Sequence, residues 1–316
     1  MKLRKKKYFC VVGFGKHAEE KILPSILKNK NNVIKLVTTK KIKLDNISIF
    51  NNLEKALKVC TPSTIFILTT PPTLHYEQII KIISYNKNIF VEKPIFTSKE
   101  EAINIANLLS SKKLFVYEML MYKHNILYSK FKKYWNNNKN KVTKIHCVFK
   151  IPSLPKGTFR DDKDIKNSIL YDIGCYIISL IIDLNFDPTD YSLKNIKFCN
   201  GQLKFIKISF YDKNIKFNAE FGIDSNYENS IALFKSNSHL KMYPFFYGPE
   251  QKKIMKFYKN KKVRSYQFVD VNAFEKMFNS STENLIARNK NDFLKKIKVN
   301  KILDDLSKVI SEKNRY

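Results

Sequence analysis

The segment Val11-Val12-Gly13-Phe14-Gly15-Lys16-His17-Ala18 constrains this chain more than any other part of it. A compact apolar run, Tyr8–Val12, precedes it, and a helical pattern with Ala18, Ile22, Leu23 and Ile26 follows. In that setting Gly13 allows a tight strand-to-helix turn, Gly15 lets the backbone approach a bound group, and Ala18 lets the helix pack close to the strand. The amides that open such a helix, together with its dipole, suit a pyrophosphate. The same residues also fit a plain strand-to-helix connection, so their context decides. Four further short apolar runs follow at 33–37, 64–68, 88–91 and 114–117. Helical patterns separate them. One starts at Asn51-Asn52-Leu53-Glu54, and one behind Thr73 carries Ile79, Ile80, Ile82 and Ile83. A third opens with the capping box Ser98-Lys99-Glu100-Glu101 and continues with Ala102, Ile105, Ala106 and Leu109. This alternation predicts an α/β domain over 1–122, with a parallel, doubly wound sheet that binds a dinucleotide.

The second run ends in Val37-Thr38-Thr39-Lys40-Lys41, and the next carboxylate is Asp45. An acid at the end of this strand binds the ribose 2′-hydroxyl of NAD, whereas hydroxyls and lysines suit a 2′-phosphate. The expectation is NADP(H), with NAD(H) as the alternative.

Beyond Lys123 the pattern changes. Runs at 142–151, 203–211, 215–222, 231–234, 240–243 and 263–269 mix apolar and polar residues at short period. Ile206, Ile208 and Phe210, for instance, alternate with Lys207 and Ser209. These predict antiparallel strands with one wet face, in an α+β domain over 123–316. One apolar helix over 168–184 interrupts them, and a last helix covers 290–311. On a continuous helix Asp172 and Tyr176, four apart, share a face. Ser179 and Asp183 extend that polar stripe, and a substrate cleft would give it partners.

The formal charge of +30 invites a nucleic-acid reading. However, 53 of the 58 basic residues are Lys, and Arg is the residue of choice for bidentate phosphate and base recognition. A solvated lysine coat is the better reading, so no nucleic-acid partner is expected. The basic start before the run at 8–14 mimics a signal peptide but lacks a small-residue cleavage site. The apolar stretch 168–186 contains Asp172 and Asp183 and is barely long enough for a bilayer. No membrane partner is expected, and the chain reads as cytoplasmic. The five cysteines are scattered, the five histidines show no HxxxH or HExxH spacing, and GxSxG and GxxxxGK[ST] are absent. No disulfide framework, metal site, hydrolase elbow or P-loop is implied.

Four elements in one order, Gly13-Phe14-Gly15, Thr70-Pro71-Pro72-x-x-His75, Glu92-Lys93-Pro94 and Asp172-Ile173-Gly174-Cys175-Tyr176, resemble the Gfo/Idh/MocA oxidoreductases, in the glucose–fructose oxidoreductase and dihydrodiol dehydrogenase branch. The resemblance implies a Rossmann domain followed by a domain with an open-faced, mostly antiparallel sheet. It implies a hydride transfer between a nicotinamide and the hydroxyl or ketone of a sugar, nucleotide sugar or polyol. Lys93 would touch the reacting oxygen, Tyr176 would move the proton and Asp172 would orient substrate. Gly13, Phe14, Gly15, Lys16, His17, Thr38, Thr39, Lys40, Thr69, Thr70, Pro71, His75, Glu92 and Lys93 would hold the cofactor. Tyr122, Lys123 and Arg160, with Asp172, would face a carbohydrate-type substrate. A homodimer or homotetramer would cover the open sheet face. The chain departs from the family in having Lys166-Asn167-Ser168 where many relatives have a glycine-rich segment, and Lys123 where relatives often carry Arg. The alternative is a non-catalytic NAD(P)-binding regulatory or partner-binding protein of the same fold.

Overall fold

The computed structural model describes residues 6–153, 164–186, 190–247 and 252–313. The chain forms two compact units, residues 1–120 with 274–297 and residues 121–273 with 298–316.

The first unit is built on a six-stranded sheet. Its strands are β1 (Tyr8–Val12), β2 (Val33–Val37), β3 (Ser48–Phe50), β4 (Ile65–Leu68), β5 (Asn88–Val91) and β6 (Val116–Glu118). All pairings are parallel and the spatial order is β3-β2-β1-β4-β5-β6. Such a sheet needs cover on both faces, which is why its strands read as continuous apolar runs. On one face Cys10, Phe66, Leu68 and Val91 meet α2 (Leu53–Val59), α3 (His75–Ser84) and α4 (Lys99–Leu109) through Ala56, Leu57, Ile79, Ile82, Ile83, Ala102 and Ile105. On the other, Phe9 and Phe90 meet Phe278 of α8 (Ala273–Phe278), with ring centroids 5.8 and 5.4 Å apart. Phe293 of α9 (Thr282–Lys313) packs on Phe96. The first unit therefore takes residues 274–297, which the sequence reading gave to the second domain.

The helix starts expected at Asn52 and Ser98 are capped. Asn52 accepts the Lys55 amide at 2.9 Å, and Ser98 accepts that of Glu101 at 3.2 Å. Glu101 reaches back to the Thr97 amide at 2.7 Å. Thr73 does not cap α3; it lies in a 3-10 turn, Pro72–Leu74, with no side-chain cap. The helix after the glycine turn, α1, is π-helical over Ala18–Ile22 and α-helical over Leu23–Leu27. Pro24, which has no amide to donate, sits where the two meet.

The second unit carries α5 (Ile126–Asn138), β7 (Lys144–Lys150), α6 (Ile169–Asp172), α7 (Gly174–Asp183) and seven further strands. These are β8 (Asp190–Cys199), β9 (Gln202–Asp212), β10 (Ile215–Gly222), β11 (Glu228–Lys235), β12 (Ser238–Tyr243), β13 (Lys253–Lys259) and β14 (Lys262–Phe268). The order is β14-β13-β12-β11-β7-β10-β9-β8, antiparallel except for β7 with β10. Along β10, Phe217, Ala219 and Phe221 are buried while Lys216, Asn218 and Glu220 are half-buried. That is the alternation of a sheet with one wet face. On that face Glu220 gathers Lys207 at 2.9 Å and His146 and Lys150 at 3.5 Å.

The apolar helix expected over 168–184 is broken. Ile173 separates α6 from α7, and the helical segments on either side are bent by 50°. The Tyr176 amide bonds to the Ile173 carbonyl at 3.1 Å, across the break. Asp172 and Tyr176 therefore are not successive turns of one helix. Gly174 accounts for the approach at the break, because a Cβ there would stand 3.3 Å from the Phe221 ring. Among the described residues no single helix is long and apolar enough to cross a membrane.

Candidate functional site

In the first unit the carboxyl ends of β1 and β4 lie side by side where the strand order reverses, the place where open α/β sheets take ligands. Gly13 has a φ of +93°, and a Cβ there would stand 3.1 Å from the Thr69 backbone and from the Thr69 and Thr70 side chains. Only glycine meets both demands. The Gly13 amide bonds to the Val37 carbonyl at 2.9 Å, and the Thr69 hydroxyl reaches the carbonyls of Gly13 and Val12 at 2.9 and 3.1 Å. The turn is thus held from both flanking strands. A Cβ on Gly15, in contrast, would meet no atom within 4 Å. A turn that is tight behind Gly13 and open in front of Gly15 fits a dinucleotide pyrophosphate. Phe14 is buried and Lys16 exposed.

At the end of β2 the Thr38 hydroxyl accepts the Lys40 amide at 3.1 Å, which makes a tight turn through Thr39. That turn brings the Lys40 ammonium to 5.8 Å from the Phe14 ring. An exposed cation therefore stands beside the glycine turn, where no acid follows β2.

Beyond β5 the chain enters Glu92-Lys93-Pro94. Glu92 places one carboxylate oxygen 3.0 Å from His17 Nε2 and accepts the Lys93 amide with the other at 3.2 Å. Lys93 is half-buried, and Pro94 to Thr97 are buried. His75 differs from its expected place against the cofactor. It is fully buried, with Nδ1 3.0 Å from the Pro94 carbonyl and Nε2 2.9 Å from the Thr70 carbonyl. Burial lowers its pKa. Its one N–H when neutral donates to one of these carbonyls, and the ring packs between the loop after β4 and the loop that carries Lys93. The Thr70 hydroxyl is likewise taken, by Gln78 at 2.7 Å. Two groups that sequence reading did not single out complete this loop. Glu118 accepts the Ile95 amide at 3.1 Å, and Lys296 of α9 bonds to the other Glu118 oxygen.

In the second unit Tyr176 and Asp172 are buried, at 3% and 4% exposure. Tyr176 lies among the rings of Phe149, Tyr122 and Phe246 at centroid distances of 5.6 to 5.9 Å. Phe246 stacks on Phe149 at 5.2 Å. The aromatic loop at 243–247 therefore supplies core at Phe245 and Phe246, with Tyr247 exposed. Tyr122, expected to face substrate, is fully buried in this cluster, and burial pushes its phenol well above the usual range. Lys123, expected to do the same, holds Asp183 at 2.6 Å, where the Tyr128 hydroxyl also donates at 3.0 Å. The carboxylate at the end of the polar stripe thus finds its partners within the protein. Arg160 lies outside the described residues. A cavity of about 930 Å³ in this unit is lined by Lys150, Lys204, Lys207, Glu220, Asp224 and Glu228 among others and holds none of the expected site residues. Among the described residues no group of three or more His, Cys, Asp or Glu side chains is placed to hold a metal ion.

Residues 7–119 match the family model GFO_IDH_MocA, described as an oxidoreductase family with an NAD-binding Rossmann fold. A dTDP-3,4-didehydro-2,6-dideoxy-alpha-D-glucose 3-reductase from Saccharopolyspora spinosa is 26% identical over 107 residues, 34% of this chain. The match spans about a third, 32%, of the length of that curated relative. The structure of KijD10, a 3-ketoreductase from Actinomadura kijaniata in complex with NADP and TDP-benzene, superposes with a TM-score of 0.81 at 16% identity, over 93% of this chain and 95% of that one. A Gfo/Idh/MocA family oxidoreductase from Vibrio cholerae superposes with a TM-score of 0.75 at 12% identity, over 98% and 100%. These likenesses extend the shared fold through the second unit. Residues 7–119 thus carry a domain of an oxidoreductase family with an NAD-binding Rossmann fold, and the rest of the chain shares the fold of these Gfo/Idh/MocA-type structures.

Proposed function

We propose that this chain is an NADP(H)-preferring oxidoreductase that moves a hydride between the nicotinamide and a hydroxyl or ketone carbon of a sugar, nucleotide sugar or polyol. The observation that carries the reading is Lys93, a half-buried lysine on a loop tied down on both sides, directly after β5 of an NAD-binding sheet. Two relatives support the substrate class: one is a reductase of a dTDP-sugar, the other a ketoreductase solved with NADP and TDP-benzene.

The nicotinamide, when bound, supplies or accepts the hydride. The chain's own part is to manage charge and the proton. The Lys93 ammonium holds the reacting oxygen and draws electron density toward it. Tyr176 gives that oxygen a proton when a ketone is reduced and takes one when an alcohol is oxidised. Asp172 orients the substrate. Gly13 and Gly15 admit the pyrophosphate, and Thr38, Thr39 and Lys40 hold the 2′-phosphate.

Titration with NADPH and, separately, NADH, followed by nicotinamide fluorescence, tests the reading. NADPH is expected to bind more tightly. Lys40→Ala is expected to weaken NADPH by about tenfold, the worth of one charged hydrogen bond, and to leave NADH unchanged. Tighter NADH binding would discard the 2′-phosphate assignment and keep the enzyme. Binding of neither would make the glycine turn a structural connection and favour a partner-binding role.

A further inference from the structure

The loop that presents Lys93 is fastened by groups far away in sequence. The Pro94 carbonyl faces His75 at 3.0 Å on one side, and the Ile95 amide donates to Glu118 at 3.1 Å on the other. Glu118 lies at the end of β6 and is 8% exposed. Its second carboxylate oxygen takes the ammonium of Lys296, a side chain from α9, 178 residues on in sequence. Ile95 and Phe96 beyond are 2% and 1% exposed, so this stretch has no solvent to replace a lost partner. A buried carboxylate is expensive unless paired and fully hydrogen-bonded. A leucine at 118 would fill similar volume without that cost, so packing alone does not account for a charged pair at this spot.

We infer that Glu118, held in place by Lys296, is a positioning residue for Lys93: by accepting the Ile95 amide it fixes the Pro94–Ile95 peptide, one residue beyond the Cα from which the Lys93 side chain departs. The inference rests on the proposed role of Lys93 at the reacting oxygen. Glu118 touches neither substrate nor cofactor in this account. It sets where the ammonium stands, and a displacement of about 1 Å at a reacting group lowers turnover by about a hundredfold. The amide acceptor matters for this, and the charge matters only because Lys296 must be neutralised. Replacing both charged groups by neutral ones that keep the acceptor should therefore preserve the loop.

Three variants test this in the full chain: Glu118→Leu, the double variant Glu118→Gln with Lys296→Met, and Lys93→Met as reference. Hydrogen exchange at Ile95 and NADPH titration are read in all three. Turnover is read with dTDP-3,4-didehydro-2,6-dideoxy-α-D-glucose and with free polyols as probes. Glu118→Leu is expected to exchange the Ile95 amide at least tenfold faster and, on any probe that the wild type turns over, to lose about ten- to a hundredfold in kcat, with NADPH affinity unchanged. The double variant is expected to recover both to within a few-fold, a rescue that loss of the ion pair alone would not predict. Wild-type protection of Ile95 in Glu118→Leu overturns the inference, with or without turnover on any probe. Wild-type turnover in Glu118→Leu beside an inactive Lys93→Met overturns it too. Wild-type turnover in Lys93→Met instead overturns the underlying role of Lys93, and the exchange result then stands on its own as a statement about the loop.

Discussion

Lys93→Met is expected to lose about 10²–10⁴-fold in turnover, the usual worth of a group that handles a proton or its charge in the transition state, and Tyr176→Phe to lose a similar factor. NADPH affinity should stay near wild type in both. Methionine keeps the length and apolar stem of lysine, and the substitution retains the backbone amide that bonds to Glu92. Phenylalanine keeps the ring that packs against Phe149, Tyr122 and Phe246. Each variant thus removes a polar head and little packing, so a drop in kcat with an unmoved cofactor titration isolates the chemistry. Wild-type turnover in both variants, on a substrate that the wild type turns over, would sink the assignment. Binding of NADPH with no turnover on any sugar, nucleotide sugar or polyol by the wild type would favour the non-catalytic alternative.

How much of this could be read from residues alone depends on how local the signal is. Four of the strands of the first sheet were legible in full because parallel strands buried on both faces are compact apolar runs. The fifth, expected at 114–117, forms as Val116–Glu118. The strand Ser48–Phe50 was not legible, since three residues show no period. In the second unit β9 and β10 alternate cleanly. The neighbouring β8 does not, because register shifts between Leu193 and Asn195 and between Lys197 and Phe198 interrupt its pairing with β9 and scramble the pattern. β13 falls in the basic, aromatic stretch 252–266, which reads as a sheet edge or dimer face without a clear period of its own. The break at Ile173 left no trace because both sides of it are apolar. The same locality governs the site. Gly13, Gly15 and the Thr38–Lys40 turn announce themselves within a few residues. Glu118 and Lys296 meet only through the fold, and no spacing along the chain relates them. His75 was expected against the cofactor; at the start of α3 it is buried instead between two backbone carbonyls, which carry no sequence signal.

The polar stripe on α7 separates a reading from sequence and a reading from structure by experiment. If Lys123 faces substrate, Lys123→Met should raise KM and leave stability alone. The structure instead gives Lys123 to Asp183 at 2.6 Å, with the Asp183 side chain 6% exposed, the Lys123 side chain 20% exposed, and the Tyr128 hydroxyl on the same oxygen at 3.0 Å. Lys132 bonds the Asp183 carbonyl at 2.9 Å, so one residue at the carboxyl end of α7 collects two cations, as the negative end of a helix dipole favours. Asp183→Asn is therefore expected to destabilise the protein by about 2–4 kcal/mol. That is below the roughly 3–5 kcal/mol for a fully buried pair, because a fifth of the Lys123 side chain stays in water. Lys123→Met should cost a comparable amount, since it leaves the more deeply buried partner uncompensated. The double variant Asp183→Leu with Lys123→Met should recover much of the loss, because an apolar pair of similar volume replaces two desolvated charges. Urea unfolding measures all three, with the midpoint moving and the slope unchanged if the native and unfolded states keep their surfaces. Should Asp183→Asn unfold at the wild-type midpoint while Lys123→Met raises KM, the ion pair is incidental and the substrate reading of Lys123 returns.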